Sequence, residues 1–223
     1  KNPDRNEDVM KRRKRNMENN NYEIIGIDHG WSMIKTSNDV FVTGIKEDTK
    51  EPPLFHDILE YEGKYYMIGG ERLTVRNNKT ENENYYYLTL AGIAKELKRR
   101  NKHNGNIVLA AGLPIARFGD EKEDFTAYLK KKKEIFFKFE KEDYHIKFAN
   151  VVVFPQCYSA VVDRLHSFPD RVVVVDIGSW TIDIVPMKNR TPVTSECISI
   201  PNGLITCMHT VNNECYKQLG EQV

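Results

Sequence analysis

No run of apolar residues in this 223-residue chain approaches the roughly 20 that a helix needs to cross a bilayer. Cysteine is scarce. The four, Cys157, Cys197, Cys207 and Cys215, show no C-x-x-C spacing and no neighbouring histidine cluster. Cys207 and His209 lie close, but two residues do not make a zinc site. A disulfide scaffold and a zinc ribbon are thereby set aside, and the thiols are expected to be reduced and mostly buried in a cytoplasmic protein. An excess of one charge is also lacking: 33 basic residues stand against 32 acidic ones, so the overall balance draws the chain to neither nucleic acid nor membrane. The charged N-terminus carries no secretory pattern.

What is present suits a soluble globular protein, with 40% hydrophobic and 29% charged residues. Residues 1–20 are polar and contain the basic run Lys11-Arg12-Arg13-Lys14-Arg15. With almost nothing to bury, they are expected to form a disordered basic tail. Met17 is a plausible natural start. From Tyr22 the pattern becomes that of a fold. Residues 23–28 read as a strand ending at an acid, His29-Gly30 as a turn, 31–36 as a returning strand and 40–45 as a third. A hairpin is expected at 57–60 and 64–68 around Glu62-Gly63. Leu90, Ile93, Ala94 and Leu97 recur at helical spacing, which predicts a helix over 86–100, started by the packing of Tyr85-Tyr86-Tyr87. A short buried strand is expected at 107–111, a charged helix at 121–132, a hairpin over 135–139 and 144–148, a strand at 151–154 stopped by Pro155, and a helix at 158–165. Residues 167–170 form the expected domain boundary.

The opening pattern then returns. Val172-Val173-Val174-Val175-Asp176 reads as a buried strand ending at an acid, Ile177-Gly178 as a turn, 180–185 as a returning strand and 193–200 as a third. Asp28 matches Asp176 and Gly30 matches Gly178, so the fold contains an internal duplication. A glycine at a hairpin tip lets consecutive amides point at an anion. An acid at the strand end can hold a cation, usually through water, as Mg²⁺ prefers. One Asp-x-Gly turn alone is commonplace. Two of them, each after an apolar strand, could clamp a polyphosphate from both sides, with Lys35 near enough to pair its charge.

The residues Gly26-Ile27-Asp28-His29-Gly30-Trp31-Ser32-Met33-Ile34-Lys35 resemble the first phosphate loop of the actin and sugar-kinase superfamily. Asp176-Ile177-Gly178-Ser179-Trp180-Thr181-Ile182-Asp183 resembles its second phosphate loop, and Val153-Phe154-Pro155-Gln156-Cys157-Tyr158-Ser159-Ala160 its connecting segment. The three occur in the family's order. Leu113-Pro114, the charged helix after it and the hairpin region before it look like ParM/StbA plasmid-segregation ATPases. The resemblance implies an α/β, ribonuclease-H-like duplicated fold. Its first domain would span 21–168, with a small β-rich insertion near 46–84. The second would begin at 169 and be incomplete at 223, since the Gly-rich adenosine motif is not reached; Gly203 does not substitute for it.

The resemblance also implies roles. Asp28 and Asp176 would hold Mg²⁺ through water, and both would serve catalysis with Gln156, the position that orients the attacking water. Gly30, Ser32, Lys35, Gly178, Ser179 and Thr181 would contact the phosphates of ATP. Trp31 and Trp180 stand where smaller residues are usual and are expected to pack outward. The implied function is an Mg-dependent ATPase forming head-to-tail filaments for plasmid partition. Its partners would be itself and a DNA-bound adaptor, without direct nucleic-acid or membrane contact. Two other readings stand beside it. A small-metabolite kinase of the same superfamily would need a catalytic acid after Leu113-Pro114, where Asp120 is a weak candidate. A non-catalytic nucleotide-gated interaction module would fit the two tryptophans.

Overall fold

The computed structural model describes residues 22–76 and 78–221. The expected basic tail lies outside them. The first half is built on alternation. In β1 (Tyr22–His29) Ile25, Ile27 and His29 face inward while Ile24, Gly26 and Asp28 face the other way. β2 (Met33–Thr36) returns antiparallel to it, and β3 (Val40–Val42) pairs β2. β4 (Gly44–Asp48), β5 (Ile58–Tyr61) and β6 (Lys64–Arg72) follow, then α1 (Asn84–Arg99), β7 (Asn104–Leu113), α2 (Ile115–Lys130), β8 (Glu134–Phe139) and β9 (Glu142–Pro155).

All nine strands form one sheet, in the order β3-β2-β1-β7-β9-β8-β5-β6-β4. Its centre, β1-β7-β9, is parallel. β4–β6 join it through β5 against β8, with Leu59 opposite Phe139. α1 and α2 cover one face, where Tyr86 of α1 meets Tyr128 of α2 with ring centroids 6.2 Å apart. The α1 stripe Leu90, Ile93, Ala94 and Leu97 is fully buried. Each large aliphatic side chain there stabilises the fold by about 1.5–3 kcal/mol.

Ligands of open α/β sheets sit beyond the carboxyl ends of parallel strands. Here the register brings Asp28, Gly112-Leu113 and Pro155 to one edge, since Ile27 pairs Ala111, Gly112 pairs Phe154 and Leu113 pairs Pro155.

The second half is smaller. β10 (Arg171–Ile177), β11 (Ile182–Lys188), β12 (Thr191–Pro192) and β13 (Ile198–Ile200) form a four-stranded sheet with β11 at its centre. It is followed by α3 (Leu204–Leu219). Val185, Met187 and Cys157 form its core, against Ile115, Tyr158, Leu165, Val172 and Val174. Cys157, Tyr158 and Leu165, from the segment after β9, thus pack into this second core.

Several local expectations are corrected. α2 starts at Ile115, well before Glu121, because Pro114 supplies a preset φ at its cap position. Residues 158–165 form turns leading into a 3₁₀ segment, Val162–Ser167, after Cys157 reverses the chain at φ +67°. The strand expected over 193–200 is broken by a 3₁₀ turn at Thr194–Glu196. β10 is not a buried strand: Val173 and Val175 are 56% and 51% exposed. A continuous apolar run is the mark of a strand covered on both faces. Among the described residues β10 pairs with β11 alone. The thiols also differ from expectation, with Cys157 buried, Cys197 and Cys215 half-buried and Cys207 exposed.

Candidate functional site

The first hairpin tip joins β1 to β2. Asp28 and Lys35 face each other across the ladder, with Nζ 3.5 Å from Oδ2. The pair is partly exposed and adds little stability, but it places a cation beside the strand-end acid. β2 is held from behind by α1. Thr36 Oγ1 donates to Glu96 Oε1 at 2.6 Å, and Asn38 donates its backbone N–H and Nδ2 to the two Glu96 oxygens, each at 2.9 Å. Burial acts to raise the Glu96 pKa, but the hydrogen bonds from Thr36 and Asn38 outweigh it and hold the carboxyl below its ordinary value. Behind the tip, buried His29 sets Nε2 2.8 Å from Thr89 Oγ1. Desolvation, then the Lys79 charge, pull its pKa down to about 3, so it is neutral.

The tip backbone is organised by its carbonyls. Gly30 O accepts from Thr43 Oγ1 at 2.9 Å and from Tyr85 Oη at 3.4 Å, and Ser32 O accepts from Thr43 N at 2.9 Å. The chain fits only without a side chain at Gly30, where a Cβ would lie 2.5 Å from Met33 O. With the carbonyls tied outward, the amides of Trp31 and Ser32 have no backbone acceptor among the described residues. Ser32 Oγ is buried and unpartnered.

The second tip repeats this with different supports. Gly178 N donates to Thr181 O at 2.9 Å. The start of α3 reaches back: Gly203 N donates to Trp180 O, Leu204 N to Gly178 O and Ile205 N to Ser179 O, at 3.0, 3.0 and 2.9 Å. Gly203 permits this approach, since a Cβ would lie 2.5 Å from the Ser179 carbonyl carbon and Trp180 N. Again the carbonyls are engaged from outside, and the amides of Ser179, Trp180 and Thr181 have no backbone acceptor among the described residues. Consecutive amides without backbone partners are an arrangement that can receive an anion.

The charges differ between the tips. Asp176 pairs across its ladder with Asp183, seven residues on, where Asp28 pairs with Lys35. Burial first, then the charges of Asp183 and Asp28, raise the Asp176 pKa above the ordinary carboxylate value, against the opposing pull of Lys35. Asp183 is buried; Thr181 Oγ1 donates to its Oδ2 at 3.4 Å, and its Oδ1 has no partner.

The two tips and the end of β9 enclose a cavity of about 180 Å³. Asp28, Gly30, Ser32, Lys35, Gln156, Asp176, Gly178, Ser179 and Thr181, every site residue expected from the sequence, line it. A wider cleft of about 630 Å³ adjoins it and shares Asp28, Lys35, Gln156 and Asp176. Gln156 donates Nε2 to Asp28 Oδ1, and its side chain lies over Gly112. Trp31 does not pack outward. It stands edge-on to Tyr85 at 5.8 Å and, with Trp180, lines the cavity. Asp120 is exposed and does not line it.

Two charged cavity residues were given no role from the sequence. Asp183 had a signal, because the repeat sets it in register with Lys35. Lys79 had none: it lies in a polar segment before α1, 3% exposed, with its ammonium over the rings of Trp31 and Tyr85 at 5.3 and 5.8 Å.

The donor set fits a hard divalent cation. Asp28, Asp176 and Asp183 supply only oxygen, and the mutual charge around Asp176 is relieved by a positive ion. They are not drawn together tightly enough for direct shared ligation. Among the described residues only His56, Asp57 and Glu140 approach one another that closely, and Lys95 and Lys98 already pair with those two carboxylates. Holding through water is what the spacing of the three aspartates allows.

A protein-family model described as "Actin like proteins N terminal domain" matches residues 26–158. The fold is similar to Ta0583, an archaeal actin homologue, with TM-score 0.72 and 17% identity, covering 90% of this chain and 68% of that one. The complex of the same archaeal protein with ADP gives 0.68 and 18%, covering 90% and 67%. The apo ParM protein of pSK41 gives 0.69 and 16%, covering 89% and 73%. AlfA in a filament bound to AMPPNP gives 0.65 and 18%, covering 88% and 76%. No curated protein sequence matches the chain.

Proposed function

We propose, because this chain belongs to the actin-like proteins, that it binds ATP with Mg²⁺ between its two hairpin tips and hydrolyses it as part of a filament cycle. The observation that carries this is the pair of facing tips. At each, carbonyls accept hydrogen bonds from the surrounding protein, and the amides without a backbone acceptor belong to residues lining a shared cavity that also holds Gln156 and three aspartates. The amides of Trp31, Ser32, Ser179, Trp180 and Thr181, with the Ser32 hydroxyl, would hold phosphate oxygens, and Lys35 would balance their charge. Gln156, beside Asp28 in the cavity, would orient the attacking water once a ligand draws it from Asp28. Asp28, Asp176 and Asp183 would hold Mg²⁺ through water, and the bound ion supplies charge neutralisation at the phosphates. Positioning and electrostatics are most of what phosphoryl transfer requires.

Assembly rests on the family alone. AlfA is seen as a filament bound to AMPPNP, and head-to-tail contacts of an actin-like protein would build an open polymer. We extend this to nucleotide-dependent self-association for plasmid partition in the cytoplasm, with a DNA-bound adaptor as partner. The test is phosphate release from MgATP with no added small substrate, run beside sedimentation with ATP, with ADP and with neither. Release with ATP-dependent pelleting is expected. Release that requires an added metabolite would move the assignment to a kinase, and tight ATP binding without release would move it to a nucleotide-gated module.

A further inference from the structure

The cavity contains a cation that the duplicated hairpins do not supply. Lys79 comes from the segment between β6 and α1 and enters behind the first tip, lining the cavity with Asp28, Gln156 and Asp183. Among the described residues its ammonium forms neither an ion pair nor a side-chain hydrogen bond. It rests instead on two aromatic faces. A buried ammonium without a counter-ion is expensive for the empty protein. Desolvation accordingly pulls its pKa down to about 8, although Asp28, Glu121 and Asp183 draw it upward and only Arg117 adds to the lowering. A hydrophobic residue would fill that aromatic slot at less cost, so the charge needs a reason outside the empty fold.

We propose that Lys79 is a binding residue for the terminal phosphate of a nucleoside triphosphate and makes the site discriminate triphosphate from diphosphate. The inference rests on the nucleotide reading above. Its argument is positional. If Gln156 and the strand-end acids mark the reacting end of the cavity, the terminal phosphate must lie there, and Lys79 is the cation that shares that end from a third element. Lys35 balances Asp28 directly, at 3.5 Å, whereas Lys79 has no carboxylate of its own and is free to meet an incoming anion. Trp31, an unusual residue for a loop tip, then has a use as the platform that holds the ammonium in place.

The test uses the full chain, with AMPPNP and ADP as probes in the presence of Mg²⁺, titrated by calorimetry, and with thermal melting of the nucleotide-free protein. In Lys79→Met the affinity for AMPPNP should fall about 10- to 100-fold, the worth of one charge-assisted hydrogen bond. ADP affinity should change by less than about threefold, a difference too small to represent such a bond. Without nucleotide, Lys79→Met should melt at or above the wild-type temperature, because an uncompensated buried charge has been removed. Lys79→Arg should keep a preference for AMPPNP. Equal losses for both probes, no loss for either, or a lower melting temperature for the empty Lys79→Met protein would overturn the proposal and leave Lys79 a structural residue. Wild-type protein that binds neither probe would remove the nucleotide site and this proposal together. Wild-type binding with an unaffected variant removes only the role of Lys79.

Discussion

In the β1–β2 hairpin the strand-end acid faces a lysine across the ladder; in β10–β11 the acid at the matching place faces another acid. The backbone solution is shared, with a glycine at the tip, carbonyls engaged by neighbouring groups and amides without a backbone acceptor in residues that line the cavity. The supports are not. The first hairpin leans on the buried α1 helix through Glu96, inside the main core. The second is steadied by the start of α3, whose own side chains include exposed Leu204, Met208 and Val211. Duplication has therefore kept the shape of the tip and divided the labour of charge. One hairpin is neutral and well buttressed. The other is anionic and less covered.

The largest effects should come from the acids that both hairpins aim at the cavity. Asp28→Ala and Asp176→Ala should each lower MgATP turnover by about 100-fold or more, as removal of a preorganised electrostatic group does. Near-normal phosphate release in either variant would show that the two tips do not act as a pair. Gln156→Ala should lower kcat by a similar factor while nucleotide affinity changes far less, since orienting water matters mainly in the transition state. Proportional losses in both would make Gln156 a binding residue.

Next in size is the buttress. Glu96→Ala strands the donors of Thr36, Asn38 and Arg100 and should destabilise the protein by about 2–4 kcal/mol. Urea unfolding would measure it, and a loss under about 0.5 kcal/mol, the range of ordinary surface changes, would mean that β2 does not depend on α1.

Asp183→Asn sharpens the charge contrast. Without nucleotide or metal it should stabilise the fold by about 0.2–1 kcal/mol, because like charges directly across a ladder repel. In the same variant the Mg²⁺ concentration needed for nucleotide binding should rise about 10- to 100-fold. If the metal requirement stays put, Asp183 lies outside the cation's reach and the anionic hairpin needs another explanation.

The smallest effect is in acid. Glu23 and Glu96 have folded pKa values below the ordinary 4.5, Glu23 chiefly through Lys102. Their stabilisation is present above that value and is lost as pH falls through the lower, folded one. Asp176 is shifted the other way, above 3.8. Its protonated form favours folding, an advantage present below 3.8 and lost as pH rises through the raised value. Lowering pH from neutral toward about 4 should therefore slow amide opening in β10–β11 before the first half weakens. Hydrogen exchange corrected for intrinsic rates would show it, and the trend should vanish in Asp176→Asn.

Much of this was legible in the chain. The alternation of 23–28, the stripe Leu90-Ile93-Ala94-Leu97 and the recurrence of an acid and a glycine after an apolar strand specify local structure by period, and period is a property of sequence. Of the nine expected cavity residues, Asp28, Gly30, Asp176 and Gly178 are marked twice by the duplication, while Ser32, Lys35, Gln156, Ser179 and Thr181 were found through the resemblance of the two loops and the connecting segment. Other features were invisible for equally physical reasons. Val172 to Val175 announces a strand that wants cover on both faces, yet the run carries no information about whether cover is present. Asp183 could have been read from its register with Lys35. Glu96 and Lys79 could not, since a glutamate in a helix and a lysine in a polar loop are ordinary until packing buries them.

The sequence by itself thus determined the alternating strands, the α1 helix, the two tips and the acids that end the strands, because each depends on neighbours within a few residues. Only the tertiary structure decided the charge of the site and its support. It turned Trp31 inward, set Glu96 behind β2, brought the α3 amides back to the second tip and carried Lys79 into the cavity. Those outcomes depend on which distant groups lose their water together, and no local pattern encodes that.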